Sequence, residues 1–307
     1  MKHENTPSHL GLGISIALIA YLFFITASSL VWNIRYGFPV IQIVFIQNIV
    51  SLLCILPLLY KEGFKYLRTK VYPIHLMRDL AGIVSYYLYF VAIQYLNLVD
   101  ATVLNYTAPF FVPLIWWIWK QEKVQGNVWW SIIVGFIGVA IILNPTRQIL
   151  QIGFLFGLFA GILSAIAFCA IRILNIHLEP ARRVLFYYFA TGSLLTFPFA
   201  MVYWTPPTFW QWVAMISIGV ATALGQICLT IAYRYGTASY LSPLGYSTVI
   251  YAGIISYVLF NVPLSWRSII GTLLIILGGT VTYLLKKKPH SIAETFESPD
   301  PKAKPPL

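Results

Sequence analysis

Ten long apolar runs limit this chain to very few folds. A helix rises ~1.5 Å per residue, so about 20 residues cross a ~30 Å hydrocarbon core. Strands of a membrane barrel would instead alternate apolar and polar residues. We therefore predict an all-α integral membrane protein with ten transmembrane helices, called spans 1 to 10. The runs cover about residues 11–33, 38–60, 74–96, 99–119, 128–143, 152–174, 184–204, 209–233, 238–260 and 266–285.

The composition leads to the same class. The chain is 59% hydrophobic and only 9% charged, whereas soluble domains carry roughly 25% charged residues. Its formal net charge of +11 is typical of basic loops beside a membrane and does not indicate binding to nucleic acid. The expected surroundings are membrane lipid, with no nucleic-acid partner.

The basic residues predict the topology. If the N-terminus is cytoplasmic, only three of the 20 Lys and Arg residues fall on the outer side, namely Arg35, Arg147 and Arg267. Basic residues collect in cytoplasmic loops. This asymmetry places both termini in the cytoplasm.

A weak internal repeat divides the chain. An offset of 140 residues places Gly13 on Gly153, and Tyr106 on Tyr246. Each half holds five spans, an odd number, so the second half is expected to lie inverted in the membrane. Inverted repeats of this kind form the moving halves of many secondary transporters. The predicted segments are a cytoplasmic tail 1–10, a first repeat 11–145, a second repeat 146–285, and a disordered basic and Pro-rich cytoplasmic tail 286–307.

The run 99–119 contains polar residues where a membrane helix would be apolar. The sequence Asn105, Tyr106, Thr107 is followed by Pro109 and Pro113. Lipid offers no hydrogen-bond partners, so this part of span 4 must face protein or a water-filled cavity. Pro109, Pro113 and Pro243 free backbone carbonyls that could bend a helix or bind a solute.

Amide and phenol side chains at similar depth are the candidate binding residues. The tyrosines could also serve in packing or in an aromatic belt at the lipid interface. The predicted substrate-binding residues are Gln47, Tyr86, Tyr87, Asn105, Tyr106, Gln226 and Tyr246.

Catalytic and metal-binding patterns are missing. Asp79 and Asp100 are read as lying at span ends, and Arg78 as snorkelling to the cytoplasmic interface. Coupling to an ion through a buried carboxylate is therefore not expected. Scattered histidines assemble neither a metal site nor a catalytic dyad. We expect no enzyme activity, no catalytic residue, no metal and no cofactor.

Four motifs carry a family resemblance. They are LMRDLAG at 76–82, AIQYLNLVDATVLNYTAPFFVPLI at 92–115, VGFIGVAIILNP at 134–145 and IIGTLLIILGG at 269–279. On these, residues 10–286 resemble the drug/metabolite transporter superfamily, in particular its ten-span EamA branch. The connections of spans 3–4 and 8–9 are similar to those of S-adenosylmethionine uptake carriers of intracellular bacteria. The resemblance implies a central cavity lined by spans 1, 3, 4, 6, 8 and 9, and Gln47 stands where the family often has an arginine.

The expected function is secondary transport by alternating access in a bacterial cytoplasmic (inner) membrane. The expected solute is an amino acid or metabolite, with S-adenosylmethionine as one candidate. A multidrug or metabolite exporter, and a non-transporting scaffold or receptor subunit, remain alternatives. The protein is expected to be a monomer or a homodimer.

Overall fold

The computed structural model describes residues 10–60, 67–120, 133–138, 140–141, 152–235, 242–262 and 265–285. The named α-helices in these ranges are α1 (Leu10–Ile34), α2 (Val40–Tyr60), α3 (Tyr72–Tyr95), α4 (Leu98–Asn105), α5 (Ala108–Lys120), α6 (Ile152–Ile176), α7 (Ala181–Val202), α8 (Phe209–Tyr235), α9 (Ser247–Phe260) and α10 (Trp266–Leu285). A 3-10 helix, Ser242–Tyr246, precedes α9. This part of the chain contains no strand, so the all-α prediction is confirmed.

Seven stretches of the described chain are long and apolar enough to cross a membrane, judged by length and composition. They are Gly11–Ile34, Val40–Pro57, Tyr72–Tyr95, Leu98–Trp119, Ile152–Ile176, Ala181–Val202 and Phe209–Ala232. Each coincides with a predicted span. Most of span 5, and both predicted tails except Leu10, lie outside the described residues.

Local chemistry sets the helix boundaries. Pro73 lies in the first turn of α3, where its missing N–H breaks no helical hydrogen bond. The Asn97 side chain caps α4 by accepting a hydrogen bond from the Asp100 N–H at 2.8 Å, as expected of an N-cap residue. The C-terminus of another helix, α9, is capped by Asn261, whose backbone is in the left-handed conformation (φ 52°).

Two helix pairs form the most extensive packing, α3 with α6 and α1 with α8. The 140-residue offset converts one pair into the other. A Cβ built on Gly153 would lie 2.7 Å from the Tyr95 Cβ, and one built on Gly13 would lie 3.0 Å from the Tyr235 Cβ. Equivalent glycines therefore allow the same close approach in both pairs.

Contacts between connections define two ends of the helix bundle. At one end, called the His75 end, Thr69 donates to Glu179 at 2.6 Å. At the opposite end, called the Gln42 end, Gln42 donates to the Thr205 carbonyl at 2.8 Å. α8 starts just after Thr205, at the Gln42 end, so its last residue, Tyr235, lies at the His75 end. Gly13 near the start of α1 packs on Tyr235, so α1 begins at the His75 end. α6 ends at Ile176, just before Glu179 of the His75 end, so it begins at the Gln42 end. α1 and α6 therefore run in opposite directions.

Candidate functional site

Span 4 is broken near its middle, between α4 and α5. Tyr106 and Thr107 form a turn between the two helices, and the Thr107 hydroxyl donates to the Leu104 carbonyl at 2.6 Å. Pro109, in the first turn of α5, has no N–H to continue the helical ladder. The sequence analysis offered a bend at the prolines of this span, and the structure interrupts the helix just before Pro109.

α6 approaches this break closely enough to form a polar contact. A Cβ on Gly161 would lie 2.5 Å from the Thr107 Oγ1 and 2.8 Å from the Leu104 carbonyl oxygen, so only glycine fits. One turn further along α6, Ser164 donates to the Asn105 Oδ1 at 3.3 Å. Ser164 also shares a 2.7 Å hydrogen bond with Ser85 of α3. Three helices thus place polar side chains around the break.

A second break lies in span 9, where the 3-10 helix meets α9. The Thr248 hydroxyl donates to the Gly245 carbonyl at 2.6 Å, the same back-bond that Thr107 makes. A Cβ on Gly245 would lie 3.2 Å from the Tyr106 ring and 3.5 Å from the Tyr21 hydroxyl. The two breaks therefore meet, with Tyr106 lying against the backbone of the second one.

Tyr246, at the second break, is a buried polar residue with an unusual environment. It is only 5% exposed, and its hydroxyl has no hydrogen-bond partner among the described residues. An unpaired buried hydroxyl costs free energy. It is therefore available to a molecule that enters between the breaks.

Tyr86 lies on α3 facing the same region. Its ring packs edge-on against Phe90, with centroids 5.8 Å apart, and it is within electrostatic reach of Tyr106 and Tyr188. Tyr87 is half-buried against the apolar core. Gln226 of α8 is half-buried. The structure thus brings Tyr86, Asn105, Tyr106 and Tyr246 around the two breaks, whereas in the part of the chain that the structure describes no hydrogen bond or ring contact joins Tyr87 or Gln226 to this cluster.

Gln47 occupies a different place, in the middle of α2. It is 1% exposed, and neither its amide nitrogen nor its amide oxygen has a partner in the described part of the chain. Its backbone carbonyl lies against Gly219 of α8, and the side chain of neighbouring Asn48 lies against Gly192 of α7. Gln47 is thus placed where α2 meets the second repeat, with its amide unsatisfied.

Two charged residues that the sequence analysis assigned to the interface are buried inside the bundle. Arg78 is 5% exposed and Asp79 is 1% exposed. The interpretation of Arg78 as a snorkelling residue is therefore wrong. Because α3 begins at Tyr72, the pair lies about two turns within the helix. The signal that could have found them is their position, because residues 78 and 79 already lie inside the run that begins at residue 74.

The connections at the His75 end are joined by a polar cluster, the His75 latch (Thr69, His75, Glu179, Arg183). Glu179 accepts hydrogen bonds from Thr69 at 2.6 Å and Arg183 at 2.9 Å, and pairs with His75 at 3.2 Å. Burial alone would raise the pKa of Glu179, but these three hydrogen bonds together lower it below its usual 4.5. The latch joins α3 to the start of α7.

The Gln42 end is joined by uncharged groups, the Gln42 latch (Gln42 and Thr205). The Gln42 side chain donates to the Thr205 carbonyl at 2.8 Å and accepts from the Thr205 N–H at 2.9 Å. This latch joins the start of α2 to the connection between α7 and α8. Both latches are formed in the structure.

Two surface depressions lie away from the breaks. One, of about 460 Å³, is at the Gln42 end and is lined by residues 35–39 with Gln94 and Tyr95. The other, of about 520 Å³, is an apolar groove between α3 and α6, lined in part by Leu80, Val84 and Leu163. Neither reaches the polar cluster at the breaks. The described residues also hold no group of three or more His, Cys, Asp or Glu that could hold a metal ion.

Comparison with known families decides what kind of protein carries this site. The model of the EamA-like transporter family matches twice, over residues 10–144 and 151–284. The chain belongs to the EamA-like transporter family. The resemblance inferred from the four motifs is confirmed, and the two matches begin 141 residues apart, close to the offset that the sequence analysis found.

Curated relatives of this family member carry transporter names. The pseudopaline exporter CntI of Pseudomonas aeruginosa is 28% identical, over 78% of this chain and 84% of the relative. A riboflavin transporter of Brucella anthropi is 30% identical, over 68% and 75%. An S-adenosylmethionine uptake transporter of Rickettsia bellii is 24% identical, over 72% and 75%. The likeness to S-adenosylmethionine carriers is thus confirmed, beside relatives with other named solutes.

The fold is also found in a solved structure. A crystal structure matches with a TM-score of 0.63 at 16% sequence identity, covering 94% of this chain and 99% of the other. At this identity the match supports the fold alone.

Proposed function

We propose that this protein is a secondary transporter that moves a small organic solute across a bacterial cytoplasmic membrane by alternating access. The observation that carries the proposal is the meeting of two helix breaks, one from each half of the chain. Irregular backbone at membrane depth is tolerated where it is buried in protein or lines a cavity, and transporters use such breaks as binding sites.

The moving parts are two inverted repeats of five spans each, divided near residue 145. The opposite directions of α1 and α6 support inversion, and the paired contacts of Gly13 and Gly153 support a pseudo-twofold relation between the halves. The two family matches support the division. With the positive-inside distribution, the His75 end is cytoplasmic and both termini lie on that side.

The solute binds between the breaks, with Tyr86, Asn105, Tyr106 and Tyr246 as its first contacts. Gln47, Tyr87 and Gln226 complete the wall when the halves separate. Aromatic faces and amide groups suit a zwitterionic, aromatic or cationic solute, held by hydrogen bonds and cation–π contacts. S-adenosylmethionine and amino acids fit this description, and riboflavin fits its aromatic part.

Export is the second candidate direction, favoured by the relative that is named as an exporter. Uptake into proteoliposomes tests both directions, because purified carriers insert in both orientations. The panel is labelled S-adenosylmethionine, riboflavin and amino acids, each with and without proton and sodium gradients. Saturable transport, competed by the unlabelled solute, is expected for at least one member.

The variants Tyr106→Ala and Tyr246→Ala are expected to lower that transport at least tenfold at normal expression. Tyr36→Ala is a matched control, because Tyr36 is 80% exposed and lies at the Gln42 end. Unchanged transport of every panel member in both tyrosine variants would contradict the proposed site. A folded protein that transports nothing from a broad panel would favour the scaffold alternative.

A further inference from the structure

α3 carries a buried charge pair that the proposed solute site does not use. Arg78 lies about 9 Å along the helix axis from Tyr72. Its side chain is 6% exposed and that of Asp79 is 1% exposed. Ionisable groups this deep in a membrane protein are expensive and usually functional.

The pair is poorly matched for a structural salt bridge. Neighbouring residues on a helix point about 100° apart and do not face each other. Arg78 accordingly reaches Asp79 through one nitrogen at 3.4 Å, longer than the ~2.7–2.9 Å of charge-assisted bonds. Its Nε is buried without a partner among the described residues. The guanidinium can therefore donate shorter hydrogen bonds to another oxygen than the one it donates to Asp79.

We propose that Arg78 and Asp79 form a proton-linked anion site, in which Asp79 takes up a proton as Arg78 turns from it to a carboxylate of the solute. The charge of Arg78 is balanced in both states, first by Asp79 and then by the solute. The proton comes from a hydronium ion of the solvent: one of its O–H bonds breaks, one O–H bond forms on Asp79, and a water molecule is released. One proton accompanies each carboxylate.

The pair is connected to the solute site by aromatic rings. The Arg78 guanidinium lies 3.9 Å from the ring centroid of Tyr188, and Gly82 makes room for that ring, its Cβ position being 3.0 Å from a Tyr188 carbon. Tyr86 lies two turns beyond Arg78, on the same face of α3 and within electrostatic reach of Arg78, Tyr188 and Tyr106. A carboxylate on Arg78 would leave the rest of the solute beside the breaks. This inference therefore rests on the proposed function and names its substrate class and coupling.

The groups that face Asp79 are few. Arg78 is the charged neighbour on its own helix, and Thr191 of α7 donates to the second carboxylate oxygen at 3.2 Å. Tyr187 and Tyr188, also of α7, are the nearby phenols. No charged side chain of α1, α2, α4 or α6, within the residues described, interacts with Asp79. In the described part of the chain, Arg78 and Thr191 are thus the two groups that bond directly to the buried Asp79 carboxyl.

Infrared titration of the purified full-length protein tests the proton. The carbonyl stretch of a protonated carboxyl group is recorded against pH, and one carboxyl band is expected to disappear in Asp79→Asn. Asp100→Asn is the matched control, since Asp100 is held by Ser268 at 2.8 Å and Asn97 at 2.7 Å. The Thr191→Val variant keeps the carboxyl but removes a donor to its charged form, so its band is expected to persist to a pH about one unit higher.

The anion is tested in the same experiment with ¹³C-labelled acetate, whose carbonyl band is displaced from that of aspartic acid. Acetate is expected to extend the Asp79 band to higher pH, whereas neutral acetamide is not. The acetate effect is expected to disappear in Arg78→Lys, which keeps the charge but loses the planar fork. Arg172→Lys is the matched control, because Arg172 stacks on Trp116 at 4.0 Å away from this site.

Each result decides the inference without a transport assay. Identical titrations of wild type and Asp79→Asn would overturn the proton site, and an equal effect of acetate and acetamide would overturn the anion site. If Asp79→Asn does not fold, an unmoved band in Thr191→Val would overturn the proton site instead. Failure of the proposed function would appear as silent proteoliposomes, whereas these bands report on the site itself.

Discussion

At the residue scale, we expect opposite effects on stability from removing a tyrosine hydroxyl that lacks a hydrogen bond and one that has a hydrogen bond. The Tyr246 hydroxyl has no hydrogen-bond partner within the described ranges, so Tyr246→Phe is expected to leave the melting temperature unchanged or higher, while lowering solute binding. The Tyr89 hydroxyl shares a 2.9 Å hydrogen bond with Thr102. Tyr89→Phe is therefore expected to cost ~0.5–1.5 kcal/mol of stability. Thermal unfolding in detergent, with uptake in proteoliposomes, measures both, and an equal loss of stability in the two variants would contradict the assignment.

Single residues were the least predictable part of the site. The irregularity of span 4 was readable from Asn105, Thr107 and Pro109, because polar residues and proline are exceptional in a membrane helix, although the sequence indicated a bend and not a full break. Which side chains face the centre was not readable. Most spans are apolar on all sides, so periodicity does not give their rotation. Arg78 and Asp79 were misplaced for a related reason, since charged residues near one end of an apolar run are typical of a span boundary.

At the scale of the helix, the contact of α6 with the break is set by Gly161. A methyl group there would lie 2.5 Å from the Thr107 Oγ1 and 2.8 Å from a backbone carbonyl. Because the backbone cannot move aside easily, Gly161→Ala is expected to cost ~1–3 kcal/mol through overpacking. Gly11→Ala is the control, since no atom of the described residues lies within 4 Å of its Cβ position. Equal melting temperatures for the two variants would show that the backbone around Thr107 moves away from α6 without loss of stability.

The His75 latch has a pH dependence with a definite sign. The folded-state pKa of Glu179 is lowered from its usual 4.5, so its contribution to stability is present above about pH 4.5. It is lost as the pH falls through the lower folded-state value. Wild type is thus expected to melt higher than Glu179→Gln at pH 7, and the difference is expected to shrink below pH 4.5. A difference that stays constant down to pH 3 would show that the latch does not depend on the charge of Glu179.

The pairing of helices was more predictable than their faces. If two repeats are related by symmetry, each contact between them occurs twice. In the second contact, each residue is replaced by its equivalent in the other repeat. Gly13 with Tyr235 and Gly153 with Tyr95 are such a pair of contacts. The sequence could align these residues but could not show that they touch, because packing distance depends on the three-dimensional path of four separate helices.

For the whole molecule, alternating access requires that the two latches open in turn. Ser164, beside the break in span 4, reports on this when replaced by cysteine in a background without Cys54, Cys169 and Cys228. A membrane-impermeant thiol reagent is applied from each side in turn. Glu179→Gln is expected to raise labelling of Ser164→Cys from the His75 end, and Gln42→Ala from the Gln42 end. The rise is expected to be roughly five- to tenfold, which corresponds to ~1–1.4 kcal/mol of latch energy.

Sidedness is checked with cysteines at exposed positions of each end, Leu178 at 86% and Tyr36 at 80% exposure. These must label from opposite sides and must not respond to the latch variants. If each latch variant raises labelling of Ser164→Cys from its own end only, each latch closes the solute site from one side. In a single rigid channel, both variants would instead raise labelling from both sides. A Ser164→Cys that neither variant exposes would show a permanently closed interface between the halves. The molecule would then be the non-transporting protein that the sequence left as an alternative.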